Sequence, residues 1–288
     1  MKHNRRDFLL GLATIPFLGY FAFGFRRNIA KDTGRQSVNS LDVLQIGKLD
    51  APMQKLHPPT GKGNRPLRIG LVGNGWRGED LLQHLGFVHP DVVEKNMNNG
   101  QYNDHFRKTY VESEDFNVEI TAICDVFDVH ARRGIEISHS FVRGNKNFKP
   151  AKLFRSYRDM IPSGEIDALI IATADHTHAP IAIEAAKAGL AVYLEKPMAH
   201  SIEHAVELKR TIKKTGVVFQ VGHQNHQQMS YKIANELYRK GVLGDVSMVQ
   251  TYTNRNTVFG AWIRDDAFDH KLGNRDNIDW EEFLAGAP

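Results

Sequence analysis

A chain of 288 residues that is 41% hydrophobic and 24% charged has the balance of a soluble globular protein with room for two ordinary domains, which excludes disordered and collagen-like classes. The formal charge of +4 is local: residues 1 to 35 carry seven Lys/Arg against Asp7 and Asp32, a surplus of five, so the rest of the chain is near −1 and offers no field that favours nucleic acid. The single cysteine, Cys124, excludes an intrachain disulfide.

The first 28 residues read as an address. NRRDFLLGLATIPFLGYFAFGF sets Arg5 and Arg6 before an apolar stretch from Phe8 to Phe25, the pattern of a twin-arginine export signal. The alternative is a buried amino-terminal helix with basic flanks. A stretch of about 18 apolar residues is at the lower limit of a membrane span, and no clean Ala-x-Ala site follows, so a cleaved signal and a retained anchor both stay open. The expectation is export to the periplasm or cell envelope, with the twin-arginine translocase as a partner. Residues 29 to 65, with Pro52, Pro58, Pro59, Gly61 and Gly63, read as an irregular linker.

From Pro66 the pattern becomes short β-branched runs separated by amphipathic segments, which predicts parallel βαβ units with helices on both faces. Strands are expected at LRIGLVG (67 to 73), VEITAICDV (118 to 126), DALIIAT (167 to 173), AVYLE (191 to 195) and VVFQVG (217 to 222). Helices are clearest at 179 to 190 and at 201 to 216, where Ser201 is the N-cap and Gly216 the stop. The fold class is therefore α/β, a Rossmann-type doubly wound sheet over 66 to 222. A helix is expected at 231 to 241 and a strand at 245 to 256.

The first strand runs into Gly73, Asn74, Gly75, Trp76, Arg77 and Gly78. Glycines at this spacing allow a tight turn, close approach to a pyrophosphate and close helix packing, while the helix N-terminus offers unpaired N–H groups to the anion. The alternative is a plain glycine turn. A dinucleotide site also needs an acid after the second strand to hold the adenosine ribose, and Asp125 fits that role as well as that of a helix N-cap. Its distance from the glycines is long because a polar segment from about His89 to Phe116 intervenes, read as an insertion. Val126 stands where an arginine would bind a 2′-phosphate, so NAD(H) is favoured over NADP(H).

GNGWRG, CDV, IATADHTHAPIAIEAAKAGLAVYLEKPMAH and VFQVGHQNHQ, in this order and spacing, resemble the glucose-fructose oxidoreductase, inositol dehydrogenase and MocA family (Gfo/Idh/MocA) over residues 66 to 288. A strand's carboxyl end faces the ligand crevice in such sheets, so Glu195 and Lys196 are expected where nicotinamide and substrate meet. Lys196 would polarise a substrate hydroxyl or carbonyl and assist the proton transfer that accompanies hydride transfer. The alternative is a surface ion pair at a strand end. The resemblance implies a cis peptide before Pro197, and a loop of Thr173, Asp175, His176 and His178 that lines the cofactor. It makes Gln224 a cofactor contact. The His-x-His pair lacks third and fourth ligands at convincing spacing, so no metal is expected.

The resemblance implies a sugar, polyol or related carbohydrate as substrate for an NAD-dependent oxidoreductase. A glycoside hydrolase that uses transient oxidation, elimination and re-reduction is the second reading, and a non-catalytic cofactor-binding remnant the third. Family members continue into a longer second domain with an Asp-x-x-x-His pair, so the resemblance makes residues 223 to 288 the start of an incomplete α+β domain. The chain stops at Pro288, so the expectation is a truncated member that binds NAD weakly and turns over poorly, with homo-oligomers only for a complete second domain.

Overall fold

The run Leu67–Val72 forms β1, and its alternation sends Ile69 and Leu71 to one face of the sheet and Val72 to the other. The structure, a computed structural model, describes residues 65–98, 100–224, 229–242, 244–252, 273, 274 and 276–285. The expected signal and most of the expected linker lie outside them. After β1 come α1 (Trp76–His84), α2 (Pro90–Lys95), a small hairpin of β2 (Met97–Asn98) and β3 (Gln101–Tyr102), and α3 (Asp104–Phe106), which runs into a π-helical turn at Arg107–Val111. The chain continues through β4 (Val118–Cys124), α4 (Asp128–Ser138), β5 (Lys152–Phe154), α5 (Tyr157–Met160), β6 (Ala168–Ile171) and α6 (Asp175–Lys187). β7 (Ala191–Glu195), α7 (Ile202–Thr215), β8 (Phe219–Gly222), α8 (Met229–Arg239) and α9 (Trp280–Leu284) complete the described elements.

Six strands form one parallel sheet in the order β5-β4-β1-β6-β7-β8. The winding reverses beside β1, whose neighbours are β4 and β6, so the crevice above their carboxyl ends is the place for a ligand. Central strands are buried on both faces, which is why Leu169, Ile170 and Ile171 run without alternation. Leu71, Leu82, Phe87, Ile123 and Ile137 fill one layer, with α1 and α4, and Ile171, Ile181, Leu194 and Leu208 fill the other, with α6 and α7. Alanines at 179, 182, 185 and 186 let α6 approach the sheet closely. Cys124 is buried in this layer, and burial pushes its thiol far above the ordinary range, so it is an inert core residue.

Several boundaries differ from expectation. β4 stops at Cys124, which frees Asp125 to turn back, and β6 spans four residues rather than seven. α6 begins at Asp175, four residues before the expected start, although Pro180 then lies inside it without an N–H to give. Its first turns are held by one local and one tertiary feature instead: the Thr177 hydroxyl donates to the N-cap Ala174 carbonyl at 2.9 Å, and His178 is sealed in the core. α7 follows expectation, with the Ser201 hydroxyl accepting the His204 N–H and Gly216 closing the helix at φ 69°. The expected strand at 245 to 256 is not seen in its described part, 245 to 252, because no described strand lies beside it to complete a ladder. Among the described residues no helix is long and apolar enough to cross a membrane.

The polar segment between β1's helix and β4 is tied down by one residue that sequence reading did not single out. Arg143 is 4% exposed and donates to the carbonyls of Tyr110 (2.7 Å), Glu114 (2.6 Å) and His84 (2.7 Å). Burial pulls its pKa below the ordinary guanidinium value, against the opposing charge of Asp115.

At the sheet's other end, Asp167 accepts from Arg65 (2.7 Å) and Arg68 (2.8 Å) and from the Arg68 backbone N–H (3.1 Å). The Arg65 and Arg68 guanidiniums hold its carboxyl well below the usual carboxylate range. A depressed folded pKa means that the unfolded chain binds the proton first, so the stabilisation is complete above about pH 4 and is lost as the pH falls below it. Asp167→Asn should therefore lower stability by about 1 kcal/mol at pH 7 and by less at pH 3, read as the difference in urea midpoints from the wild type at each pH. An equal loss at both would sink the assignment.

Candidate functional site

The turn after β1 is shaped by three glycines with separate duties. Gly73 has φ 88°, and a Cβ there would lie 2.7 Å from the Ala172 carbonyl oxygen on β6's exit. At Gly78 a Cβ would lie 2.1 Å from the Gly73 carbonyl oxygen, so this glycine lets α1 press against the turn. Gly75 differs: a Cβ would meet nothing nearer than His130 at 3.7 Å, which leaves its surface open for a ligand. Asn74 turns inward, its amide donating to the His130 carbonyl at 3.0 Å and its own backbone N–H donating to Asp125 at 2.6 Å. Trp76 is 61% exposed at the start of α1.

Asp125 also accepts the Phe127 N–H at 2.9 Å, so one buried carboxylate clasps the glycine turn to the exit of β4. Arg77 crosses from α1 to the opposite wall, where its Nε donates to Glu195 at 2.7 Å, and it also pairs with Asp80. Burial opposes the Arg77 charge, but the hydrogen bond and charge of Glu195 outweigh it and raise its pKa. Glu195 is 4% exposed and receives the Lys196 backbone N–H (3.1 Å) and the Gln224 side-chain amide (3.3 Å). Gly222 makes this possible: a Cβ there would fall 2.5 Å from the Tyr193 hydroxyl and 2.8 Å from Glu195. The Lys196-Pro197 peptide is cis, as the resemblance implies.

Of the expected Thr173 to His178 loop, Thr173 lies before α6, and Asp175, His176 and His178 instead stand in its first turns. The two histidines point apart, each to protein rather than outward: His176 Nε2 lies 2.7 Å from the Phe283 carbonyl, and His178 has a ring nitrogen 2.6 Å from the Pro197 carbonyl and the other 3.0 Å from the Thr173 carbonyl. His178 therefore binds the exit of β7 to that of β6. Asp175 is exposed in the first turn of α6. Thr173 lines a cleft beside the glycine turn together with Thr177, which the sequence reading passed over. Among the described residues no group of three His, Cys, Asp or Glu stands close enough for a metal.

That cleft, of about 320 Å³, is bounded by Gly73, Gly75, Asp125 and Phe127 on one side and by Ile278, Trp280 and Phe283 on another. The donor set fits a dinucleotide: an open glycine cradle at a helix N-terminus for a pyrophosphate, a carboxylate beside it for ribose hydroxyls, and apolar walls for a base. The sequence reading missed the carboxyl-terminal wall, although Asp279 before WEEF signals a helix start and accepts the Glu282 N–H at 3.0 Å.

Residues 67–223 match the family described as Oxidoreductase family, NAD-binding Rossmann fold. An uncharacterised oxidoreductase of Streptococcus pneumoniae is 31% identical over 141 residues, 47% of this chain and 38% of its own length. A protein named glycosyl hydrolase family 109 protein 2 from a Shewanella species is 32% identical over 210 residues, 72% of this chain and 36% of its own. An inositol 2-dehydrogenase/D-chiro-inositol 3-dehydrogenase of Lactiplantibacillus plantarum is 22% identical over 220 residues, 73% and 53% of the two chains. The chain thus spans about a third to a half of the length of these relatives. With the matched segment running from the first strand through the exit of β8, and the glycine turn, Asp125 and Glu195-Lys196-Pro197 all inside it, the chain belongs to the Gfo/Idh/MocA oxidoreductases with an NAD-binding Rossmann fold.

Proposed function

We propose that this chain holds NAD(H) over the carboxyl ends of β1, β4 and β6, and that the protein transfers hydride between nicotinamide and a carbon of a sugar, polyol or related carbohydrate. The observation that carries the reading is convergence: the glycine turn, Asp125 and the Glu195-Lys196-Pro197 exit stand at one end of one parallel sheet and are tied together through Arg77 and Asn74. Bound nicotinamide supplies the hydride acceptor. The protein's part is to orient and to move a proton. Gly75 leaves room for the pyrophosphate, and Asp125 accepts ribose hydroxyls and repels a 2′-phosphate, which favours NAD over NADP. Glu195, held by Arg77, fixes the backbone of Lys196, and the Lys196 ammonium polarises the substrate oxygen and exchanges its proton. The roles of Trp76, Asp175, His176, His178, Pro197 and Gln224 in this reading are to line or brace the same crevice.

The polyol class is supported by the inositol dehydrogenase relative, and the redox-assisted glycosidase by the Shewanella relative. Net NADH formation from free sugars and polyols favours the first, and sugar release without net NADH the second. NADH titration followed by turnover tests the proposal. Asp125→Ala should weaken NADH at least tenfold, and Lys196→Ala should lower kcat about 10²- to 10⁴-fold with NADH affinity retained. Full turnover in the Lys196 variant would remove the lysine from the chemistry. The Arg5-Arg6 pair and the apolar run to Phe25 support export through the twin-arginine translocase to the periplasm or cell envelope; a reporter fusion that still leaves the cytoplasm after both arginines become lysine would count against it. Self-association through the sheet of a complete second domain is part of the same reading.

A further inference from the structure

The short helix α9 lies beyond the segment that matches the family, yet it is docked directly on the cleft. Five contacts fasten it. Phe127 and Ile278 bridge as a single antiparallel rung, the Asp279 N–H donates to the Val126 carbonyl at 2.8 Å, and the Asp128 N–H donates to the Asn277 carbonyl at 2.9 Å. Arg158 holds Glu282 at 2.8 Å, and His176 holds the Phe283 carbonyl at 2.7 Å. Two of these anchors, Val126 and Asp128, flank the turn that follows Asp125, so the wall is attached to the residues beside the ribose acid.

What the wall presents is aromatic. Trp280 and Phe283 meet edge to face, with ring centroids 5.7 Å apart, and both line the cleft opposite Val72 and Phe127. Trp280 is 46% exposed even though its helix is docked on this side, so part of a large aromatic surface stays uncovered. A flat, apolar group with a polarisable face is the chemistry such a surface takes, and in a dinucleotide beside Asp125 that group is the purine.

Resting on the cofactor reading above, we propose that α9 is the adenosine wall of the cleft: Trp280 covers the adenine face, and His176 and Arg158 act as positioning residues that hold the wall in place rather than as contacts to the cofactor. The wall then contributes to the adenosine half of the ligand alone, and the nicotinamide half is indifferent to it.

The test uses the 288-residue chain, titrated with ADP-ribose and separately with nicotinamide mononucleotide, followed by calorimetry and by tryptophan fluorescence. Trp280→Ala should weaken ADP-ribose about tenfold and leave nicotinamide mononucleotide unchanged. Trp280→Phe keeps a ring, so it should bind ADP-ribose within about twofold of the wild type while losing the share of the ligand-induced quenching that comes from Trp280, the signal of Trp76 and Trp262 being retained. His176→Ala should act in the same direction as Trp280→Ala, and His176→Gln, which keeps an N–H donor for the Phe283 carbonyl, should restore part of the loss. Equal weakening of both ligands, or unchanged quenching in Trp280→Phe, would overturn the wall. A wild-type chain that binds neither ligand overturns the cofactor reading itself, and this inference with it.

Discussion

Replacing Gly78 by alanine is expected to destabilise the chain by about 3 kcal/mol, at the upper end of what overpacking costs, and to abolish NADH binding with the fold. The added methyl would lie 2.1 Å from the Gly73 carbonyl oxygen. That obstacle is backbone, not the end of a flexible side chain, and Gly73 is itself locked between the Cys124 carbonyl, which takes its N–H at 2.8 Å, and the exit of β6. Either α1 lifts off the sheet, uncovering Leu82 from a fully buried site, or the turn opens. Gly75→Ala is the control. Its methyl would touch only His130 at an ordinary 3.7 Å, so stability should stay within about 1 kcal/mol of the wild type. NADH affinity should nonetheless fall at least tenfold, about 1.4 kcal/mol, because the methyl takes the space of the pyrophosphate. Urea unfolding and NADH titration of both variants separate the two duties. Equal stability of the two would sink the packing argument, and undiminished affinity in Gly75→Ala would sink the cradle.

Arg77→Ala should cost about 3 kcal/mol, comparable to breaking other buried ion pairs, because it strands the Glu195 carboxylate at 4% exposure. The Gln224 amide at 3.3 Å and the Lys196 N–H at 3.1 Å remain, but both are neutral donors and replace only part of a guanidinium. The double variant Arg77→Leu with Glu195→Leu should recover much of the loss in urea midpoint, since replacing both charges by apolar groups removes the unpaired buried acid. It should not recover function, since the backbone of Lys196 would lose the carboxylate that takes its N–H. A double variant no more stable than Arg77→Ala would mean that the pair matters for packing rather than for charge.

Most of the cofactor half was legible from local pattern. The glycine spacing, the strand ends and the Ser201 and Gly216 caps are set by short-range sterics and hydrogen bonds, and each was found within a few residues of its expected place. The start of α6 was misplaced because Pro180 normally marks a first turn, while His178, buried between two backbone carbonyls, pulls the helix four residues further back. The expected strand after α8 belongs to the second domain that the resemblance implies, and a resemblance says nothing about whether a neighbouring strand is present to pair with it.

The sequence by itself determined that a parallel α/β sheet with a dinucleotide turn lies after residue 66, because periodicity and glycine spacing act over a few residues and need no distant partner. Only the tertiary structure decided that Arg77 serves Glu195 rather than a phosphate, that Asn74 and the two histidines face protein, and that α9 closes the cleft. Apart from those of His178, whose partners are 19 and 5 positions away, those are pairings between residues about 50 to 120 positions apart, chosen by which groups burial leaves in need of a partner, and spacing along the chain carries no record of that choice.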